Sequence, residues 1–233
     1  MTNRTSPVGV VVLLLASLLA LGCSAQTSAV FQALVEPAGV AEATADGGMA
    51  SPDVAGHTWW PHPHGYAMAL PAGWSGVVLD PARTGQLIDA LALVEPGLAN
   101  RVRLVIEASG AEVSSLAVDT SSGVTTPAFA IVLIQPTDGA RARVVKSRVA
   151  GAIAALPGIQ GEPARRDERL SDAQSVRFDY SIDDPDLGLL QLRSHLVRFG
   201  GQVYLVSFVA PAGSFEAAGP DFEAIAGSIR FGI

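Results

Sequence analysis

The sequence predicts a mixed α/β (α+β) fold built around an antiparallel sheet, and three observations support this class. Apolar and polar residues alternate along segments of the last third, which is the pattern of half-buried strands. Elsewhere apolar residues recur every three or four positions, as they do on one face of a helix. The chain has 233 residues, 49% of them hydrophobic and 16% charged, so it can bury one full domain core.

The first half of the domain is predicted to contain a short strand, two helices and two more strands. The strand "YAMAL" (66–70) ends in a Pro-x-Gly turn, after which Trp74 caps the core. Apolar spacings of three and four over residues 81–109 indicate two amphipathic helices that are separated at Pro96. "VSSLAVDT" and "AFAIVLIQ" are predicted strands, and the second is apolar almost throughout, which favours a central position.

The second half is predicted to contain a helix, a three-stranded meander and a terminal helix. The helix lies within residues 140–158 and stops at Pro157-Gly158. The strands are "SVRFDYSID", "LQLRSHLVRF" and "QVYLVSFVA", with Gly200-Gly201 as a two-residue hairpin turn. Pro220 suits the first position of the last helix. The face of that helix which covers the sheet comprises Phe222, Ile225, Ala226 and Ile229.

Three short motifs carry a resemblance to a known family: "LPAGW", "GGQVYLVSFVAPAGSF" and "FEAIAGSIRF". From about residue 65 to 231 the chain resembles the Mog1/PsbP-like superfamily, and within it the domains of actinobacterial-type surface lipoproteins. The resemblance implies an α/β/α sandwich with a central antiparallel sheet. It also implies a binding or assembly role, because the superfamily shares no catalytic residue set, and so no active site is carried over.

Residues 1–22 are predicted to be a lipoprotein signal peptide. The uncharged apolar run 8–22 is 15 residues long, whereas a helix needs about 20 residues to span a bilayer. Ala20-Leu21-Gly22 precede Cys23, the only cysteine, and resemble a bacterial lipobox. That resemblance implies cleavage before Cys23 and a covalent diacylglycerol and N-acyl lipid on it. An unlipidated secretory signal with a chance cysteine is the alternative.

The remaining chain is predicted to divide into three parts. Residues 23–56 are the lipidated N-terminus and a flexible tether rich in Ala, Ser, Thr, Gly and Pro. Residues 57–64 form a junction rich in His, Trp and Pro, and residues 65–233 form the globular domain. We expect an exported protein that is held by lipid at the extracytoplasmic face of the cell membrane, with an envelope protein or lipid as its partner.

The acidic charge balance predicts that nucleic acid is not a partner. The formal net charge is −7, with 15 Lys+Arg against 22 Asp+Glu. Arg4 is the one charged side chain in residues 1–22, so its removal leaves 14 cations against 22 acids, or −8. The phosphate backbone of nucleic acid favours basic surfaces instead.

The junction carries the densest group of possible metal ligands. Three imidazoles, His57, His62 and His64, could supply most of a zinc or copper shell, and the prolines between them favour extended backbone. In that backbone His62 and His64 share one side. The alternative is a junction whose tryptophans pack on the domain edge while its histidines are solvated.

A second group lies on the polar side of two meander strands. Arg177, Asp179, Arg193 and His195 are predicted to face one another across the strand pair. They could form a polar ligand patch, or a salt-bridged face beneath a loop or helix.

The sequence gives no catalytic residues, and we expect that the protein is not an enzyme. It contains no G-x-S-x-G elbow, Walker loop or dinucleotide fingerprint. "DDPD" (183–186) lacks the spacing of a calcium loop and is predicted to be a turn, and "EPARRDER" (162–169) is predicted to be an exposed loop or edge strand. We therefore expect a non-catalytic binding or accessory module for an envelope component, a partner protein or a hydrophobic small molecule. The alternative is a metal-binding or metal-delivery lipoprotein that uses His57, His62 and His64.

Overall fold

The computed structural model describes residues 58–79, 81–94, 112–121, 127–137, 139–184 and 187–232. The strands found there are β1 (Thr58–His62), β2 (Tyr66–Leu70), β3 (Trp74–Val78), β4 (Glu112–Asp119), β5 (Phe129–Pro136), β6 (Ile159–Leu170), β7 (Ala173–Asp184), β8 (Gly188–Phe199), β9 (Gln202–Pro211) and β10 (Arg230–Phe231). The helices are α1 (Pro81–Val94), α2 (Ala142–Ala154) and α3 (Phe215–Ser228). The predicted leader, the tether, Cys23, His57 and the helix predicted after Pro96 lie outside the described residues.

Two antiparallel sheets organise these elements. The large sheet has seven strands in the order β3-β4-β5-β9-β8-β7-β6, and the small sheet has three in the order β1-β2-β10. Every described strand pair is antiparallel. The apolar strand β5 lies inside the large sheet, as its composition predicts. The predicted α/β class with an antiparallel sheet is therefore confirmed.

The large sheet has an apolar core on each face, which gives the molecule its layers. On one face, Ile88 of α1 and Val149 and Ile153 of α2 pack on alternate residues of the central strands. On the opposite face, Met68 of β2 and Phe222 of α3 pack on the remaining residues. Burial of both faces stabilises the sheet because each Å² of apolar surface removed from water contributes roughly 25 cal/mol.

The meander formed by β7, β8 and β9 agrees with the sequence prediction. Gly200 and Gly201 join β8 to β9 with backbone φ angles of +55° and +79°. Two consecutive residues with positive φ match the right-handed twist of the strands that they join, and glycine adopts that conformation without steric cost.

Three elements differ from the prediction or refine it. The terminal helix α3 starts at Phe215, so Pro220 lies inside the helix and not at its first position. "EPARRDER" belongs to β6, the edge strand that was one of its two predicted states. Most of the predicted junction, residues 58–62, forms β1 and pairs with β2.

Among the residues that the structure describes, no helix combines the length and the apolar character that crossing a bilayer requires.

Candidate functional site

The register of β7 and β8 brings the four predicted patch residues together on one face of the large sheet. Arg177 pairs with His195 across the two strands, and Asp179 pairs with Arg193. Side chains two residues apart on a strand share a face, so all four project from the face that α3 covers in part. We call this group, with Glu168 and Glu223, the ionic cluster.

Asp179 is the centre of the ionic cluster. Its carboxylate accepts hydrogen bonds from Arg177 Nε at 2.7 and 2.9 Å and from Arg177 Nη2 at 2.8 Å. Arg193 Nε donates a further bond of 3.2 Å to the same carboxylate. The two arginine side chains are only 11% and 15% exposed, so this carboxylate neutralises guanidinium groups that water cannot fully solvate.

Glu223 connects the ionic cluster to α3. Its carboxylate lies 2.5 Å from Arg193 Nη1 and 3.9 Å from Arg177 Nη1. The Arg193 guanidinium also lies 5.6 Å from the ring centre of Phe215, on the same helix. Because the Glu223 side chain is 62% exposed, it is the most accessible anion paired with these arginines.

His195 is buried beside the arginines. Only 3% of its surface is exposed, and its ring lies edge-on to Phe208 with a centroid distance of 5.8 Å. Glu168 Oε1 of β6 is 2.8 Å from His195 Nδ1, but off the direction of a hydrogen bond, so neither ring nitrogen has a hydrogen-bond partner within the described stretches. Burial, with the charges of Arg177 and Arg193, lowers the pKa of His195 to about 4.

Glu168 and Glu223 were not identified from the sequence. Glu168 follows Asp167 on β6, and only the register of β6 against β7 shows that it faces the patch. Burial, followed by the charges of Glu223 and Asp179, raises the pKa of the Glu168 carboxyl. Glu223 lies in the cluster because α3 packs on the sheet, and periodicity alone does not predict how that helix packs.

The geometry of the ionic cluster sets a condition on any ligand. The arginine donors already bind Asp179 and Glu223, so an anionic ligand has to compete with Glu223 for Arg193. The ligand patch therefore stays a prediction, and the arrangement already serves as a set of salt bridges between the meander and α3.

The second candidate group lies where β1 meets β4. His62 Nε2 donates to the Ser114 carbonyl at 2.6 Å, and His62 Nδ1 accepts the backbone N–H of His64 at 3.2 Å. Burial lowers the pKa of His62 to about 4, so the ring is neutral at pH 7. The rings of His62 and His64 stack with centroids 5.1 Å apart, and His64 Nε2 lies 3.0 Å from Glu112 Oε1.

These contacts bear on the predicted metal centre. His62 is buried, with 6% exposure, so it is not one of the solvated histidines of the alternative interpretation. Both of its ring nitrogens have hydrogen-bond partners in the protein, and a metal would have to replace one of them. Within the described stretches, no three His, Cys, Asp or Glu side chains are grouped to hold a metal ion, and His57 lies outside them.

Tyrosine hydroxyls attach the small sheet to the large one. Tyr66 Oη lies 3.0 Å from Ser114 Oγ and 2.8 Å from Ser115 Oγ, and burial raises the pKa of Tyr66. Tyr204 Oη of β9 donates to the His64 carbonyl at 2.9 Å. The polar groups between the two sheets therefore hold the β1–β2 hairpin in place.

Comparisons with known proteins show the fold. No family model matches the sequence, and no curated protein matches it. LpqN of Mycobacterium tuberculosis, a protein involved in cell envelope biogenesis, aligns with a TM-score of 0.51 over 76% of this chain and 91% of its own, at 13% identity. The PsbP of Synechocystis sp. PCC 6803 (CyanoP) aligns with a TM-score of 0.44 over 79% of this chain and 98% of its own, at 15% identity. The likeness to LpqN shows a shared fold, and the second alignment is too distant to add to it.

Proposed function

We propose that this chain is an exported lipoprotein, held by lipid on Cys23 at the extracytoplasmic face of the membrane. Its globular domain is a non-catalytic binding or accessory module for an envelope component, a partner protein or a hydrophobic small molecule. The observation that carries the proposal is the position of the only cysteine, directly after 15 uncharged apolar residues.

The physical chemistry of anchoring supports a lipid on Cys23. A buried CH₂ group contributes roughly 0.8 kcal/mol, so one acyl chain binds a membrane only marginally, whereas two or three bind it stably. Residues 24–56 would then act as a spacer with an end-to-end distance of about 30 Å if they behave as a flexible chain.

The pairing of buried polar groups supports a binding role over a catalytic one. Ser194 and Ser207 hydroxyls lie 2.8 Å apart in the interior, and Tyr180 Oη lies 3.1 Å from Ser194 Oγ. These three hydroxyls are therefore paired with one another in the interior. The fold shared with LpqN, itself involved in cell envelope biogenesis, agrees with a role in the envelope.

Membrane fractionation of cells that produce the full chain tests the anchor. We expect the wild-type chain in the membrane fraction, and we expect Cys23→Ala to leave an uncleaved precursor or to release the domain. An inhibitor of lipoprotein signal peptidase should also cause the precursor to accumulate. Ser24→Ala is the matched control and should fractionate as wild type. Equal mass and distribution of the Cys23→Ala and wild-type chains would contradict the proposal.

Metal binding through His57, His62 and His64 is the second candidate function, and the observation that favours it is the proximity of the His62 and His64 rings, whose centroids are 5.1 Å apart. Calorimetric titration of Zn²⁺ and Cu²⁺ into the chain from residue 23, with Cys23→Ala, tests it. A site that uses these histidines loses its heat of binding when all three are replaced by Ala. It keeps that heat when His195, the fourth histidine of the chain, is replaced by Gln. Identical heats for the parent and the triple variant would exclude this function.

A further inference from the structure

An open groove of about 430 Å³ lies between α2 and β6, away from both groups described above. Its lining residues are Ala142, Arg143, Lys146, Ser147 and Arg165. Arg143 and Lys146 are three residues apart on α2, so they share one face of the helix. Arg165 faces them from β6, and it lies two residues from Asp167, whose Oδ1 is 3.0 Å from Lys146 Nζ. We call this feature the basic groove.

The basic groove lies in the most cationic part of an acidic chain. Residues 139–170 contain seven of the 15 Lys+Arg and only three acids, Glu162, Asp167 and Glu168, although the net charge of the chain is −7. Glu168 faces the ionic cluster on the other side of the sheet. Asp167 is therefore the one acid of the three that pairs with a cation of the groove.

Two of the three cations are available to a ligand. Among the described residues, neither Arg143 nor Arg165 makes a side-chain hydrogen bond or an ion pair, and both are exposed. The third cation, Lys146, forms an exposed pair with Asp167, and pairs of that kind contribute little to stability. Lys146 can therefore exchange the carboxylate for another anion at small cost.

We propose that the basic groove binds a phosphate group of a phosphate-bearing ligand. The groove is lined by two guanidinium groups and one ammonium, and Asp167 is the one acid paired there, so positive charge is in excess. Arginine forks and lysine ammonium groups are side chains that bind phosphate oxygens. Ser147 adds a hydroxyl at the same wall. The groove is large enough for a headgroup-sized ligand, and it is open, so the rest of a larger molecule can extend into solvent.

The phosphate chemistry has two possible sources, an anionic lipid headgroup and a soluble phosphate ester. A lipid headgroup as the source depends on the proposed function, because a tethered domain meets headgroups at the membrane that anchors it. Phosphate binding by the groove does not depend on the proposed function, since it can be tested with an unlipidated chain. Failure of this proposal and failure of anchoring through Cys23 are thus separate results.

The test uses the chain from residue 23 with Cys23→Ala, so that no acyl chain contributes. One arm measures co-sedimentation with vesicles of phosphatidylglycerol and with vesicles of phosphatidylcholine. The other arm titrates inorganic phosphate and glycerol 3-phosphate while backbone amide NMR signals are followed. Arg143→Ala/Arg165→Ala removes two cations of the groove, and Arg148→Ala is the matched control, an exposed arginine of α2 outside the lining.

We expect binding by the parent and by Arg148→Ala, and binding at least about tenfold weaker by the double variant. Binding to phosphatidylglycerol vesicles that depends on the groove identifies a headgroup as the source. Amide shifts at residues 142–147 and 165 without vesicle binding identify a soluble phosphate ester. If the double variant does not fold, Arg143→Gln alone is expected to weaken binding in the same assay. The proposal is overturned if neither arm detects binding, or if the groove variants bind as tightly as Arg148→Ala.

Discussion

At the scale of single residues, the carboxylate of Asp179 is the main counter-charge for two arginines of the meander. It accepts three hydrogen bonds from Arg177 and one from Arg193, while both arginines are largely buried. A buried ion pair gives little net stability compared with apolar packing, but loss of one partner leaves an uncompensated charge. Removal of Asp179 should therefore cost stability mainly because it leaves the two arginine charges uncompensated.

We expect Asp179→Asn to lower the free energy of unfolding by about 2–3 kcal/mol, because two guanidinium groups lose their main counter-charge. Urea denaturation at pH 7 measures the change. Asp167→Asn is the matched control, since that carboxylate forms an exposed pair with Lys146 and its loss should cost far less than the loss of Asp179. Equal losses of unfolding free energy for the two variants would mean that burial does not determine how much the ion pairs of the cluster contribute to stability.

His195 gives a prediction about pH. The unfolded chain takes up a proton as the pH falls through 6.5, whereas the folded chain does so only near pH 4. More protons are bound to the unfolded state across that window, so stability falls as the pH falls, by up to roughly 3 kcal/mol. The raised pKa of Glu168 acts in the opposite sense, because the folded state then binds its proton first.

His195→Gln removes the imidazole titration and keeps Glu168. We expect its unfolding free energy to fall less than that of wild type between pH 6.5 and pH 4, as measured by urea denaturation at several pH values. His62 also titrates with a pKa near 4 and is retained in both chains, so the difference reports on His195. Parallel pH profiles would show that burial of His195 does not control its protonation.

Some residues of the ionic cluster can be predicted from the sequence and others cannot, because they depend on different levels of structure. Alternation along β7 and β8 placed Arg177, Asp179, Arg193 and His195 on one face, because a strand repeats every two residues. The acids that complete the cluster come from β6 and α3. Their approach depends on strand register and helix docking, which are tertiary properties that local periodicity does not contain.

At the scale of elements, the strands were more predictable than the ends of the helices. The meander strands and their Gly-Gly turn follow directly from alternation and from the need for positive φ. The predicted start of α3 is wrong. Proline is typical of the first position of a helix, but Pro220 is the sixth residue of this one. Phe215, buried against the sheet, begins the helix earlier than the proline indicates.

The entry into β6 provides a matched pair of glycines for a test. Gly158 has φ +74°, and a Cβ there would lie 2.3 Å from the Asp183 carbonyl oxygen. Gly161 has nearly the same φ of +73°, but a Cβ there would meet no atom within 4 Å. The two positions therefore separate backbone strain from steric overlap.

We expect Gly161→Ala to cost about 1–2 kcal/mol through strain alone. Gly158→Ala should cost at least about 3 kcal/mol, because the methyl group also forces Asp183 of β7 away. Urea denaturation of both variants measures the difference. Equal costs would show that β6 and β7 do not approach as closely at this end as the described geometry requires.

At the scale of the whole molecule, one antiparallel sheet separates two apolar cores, and three polar features lie outside them. The ionic cluster joins the meander to α3, the histidines stabilise the small sheet, and the basic groove opens between α2 and β6. Under the proposed function these features are binding surfaces, and a flexible tether over residues 24–56 would hold them near the membrane. We propose that lipid on Cys23 fixes the location of the protein.

Mass spectrometry of the N-terminal peptide of the membrane-extracted protein tests this lipidation. We expect a peptide that begins at Cys23 and carries a diacylglycerol on its sulfur, with a further acyl group where the host acylates the new amino terminus. A mature peptide that begins at any other residue, or one with an unmodified Cys23, would contradict it.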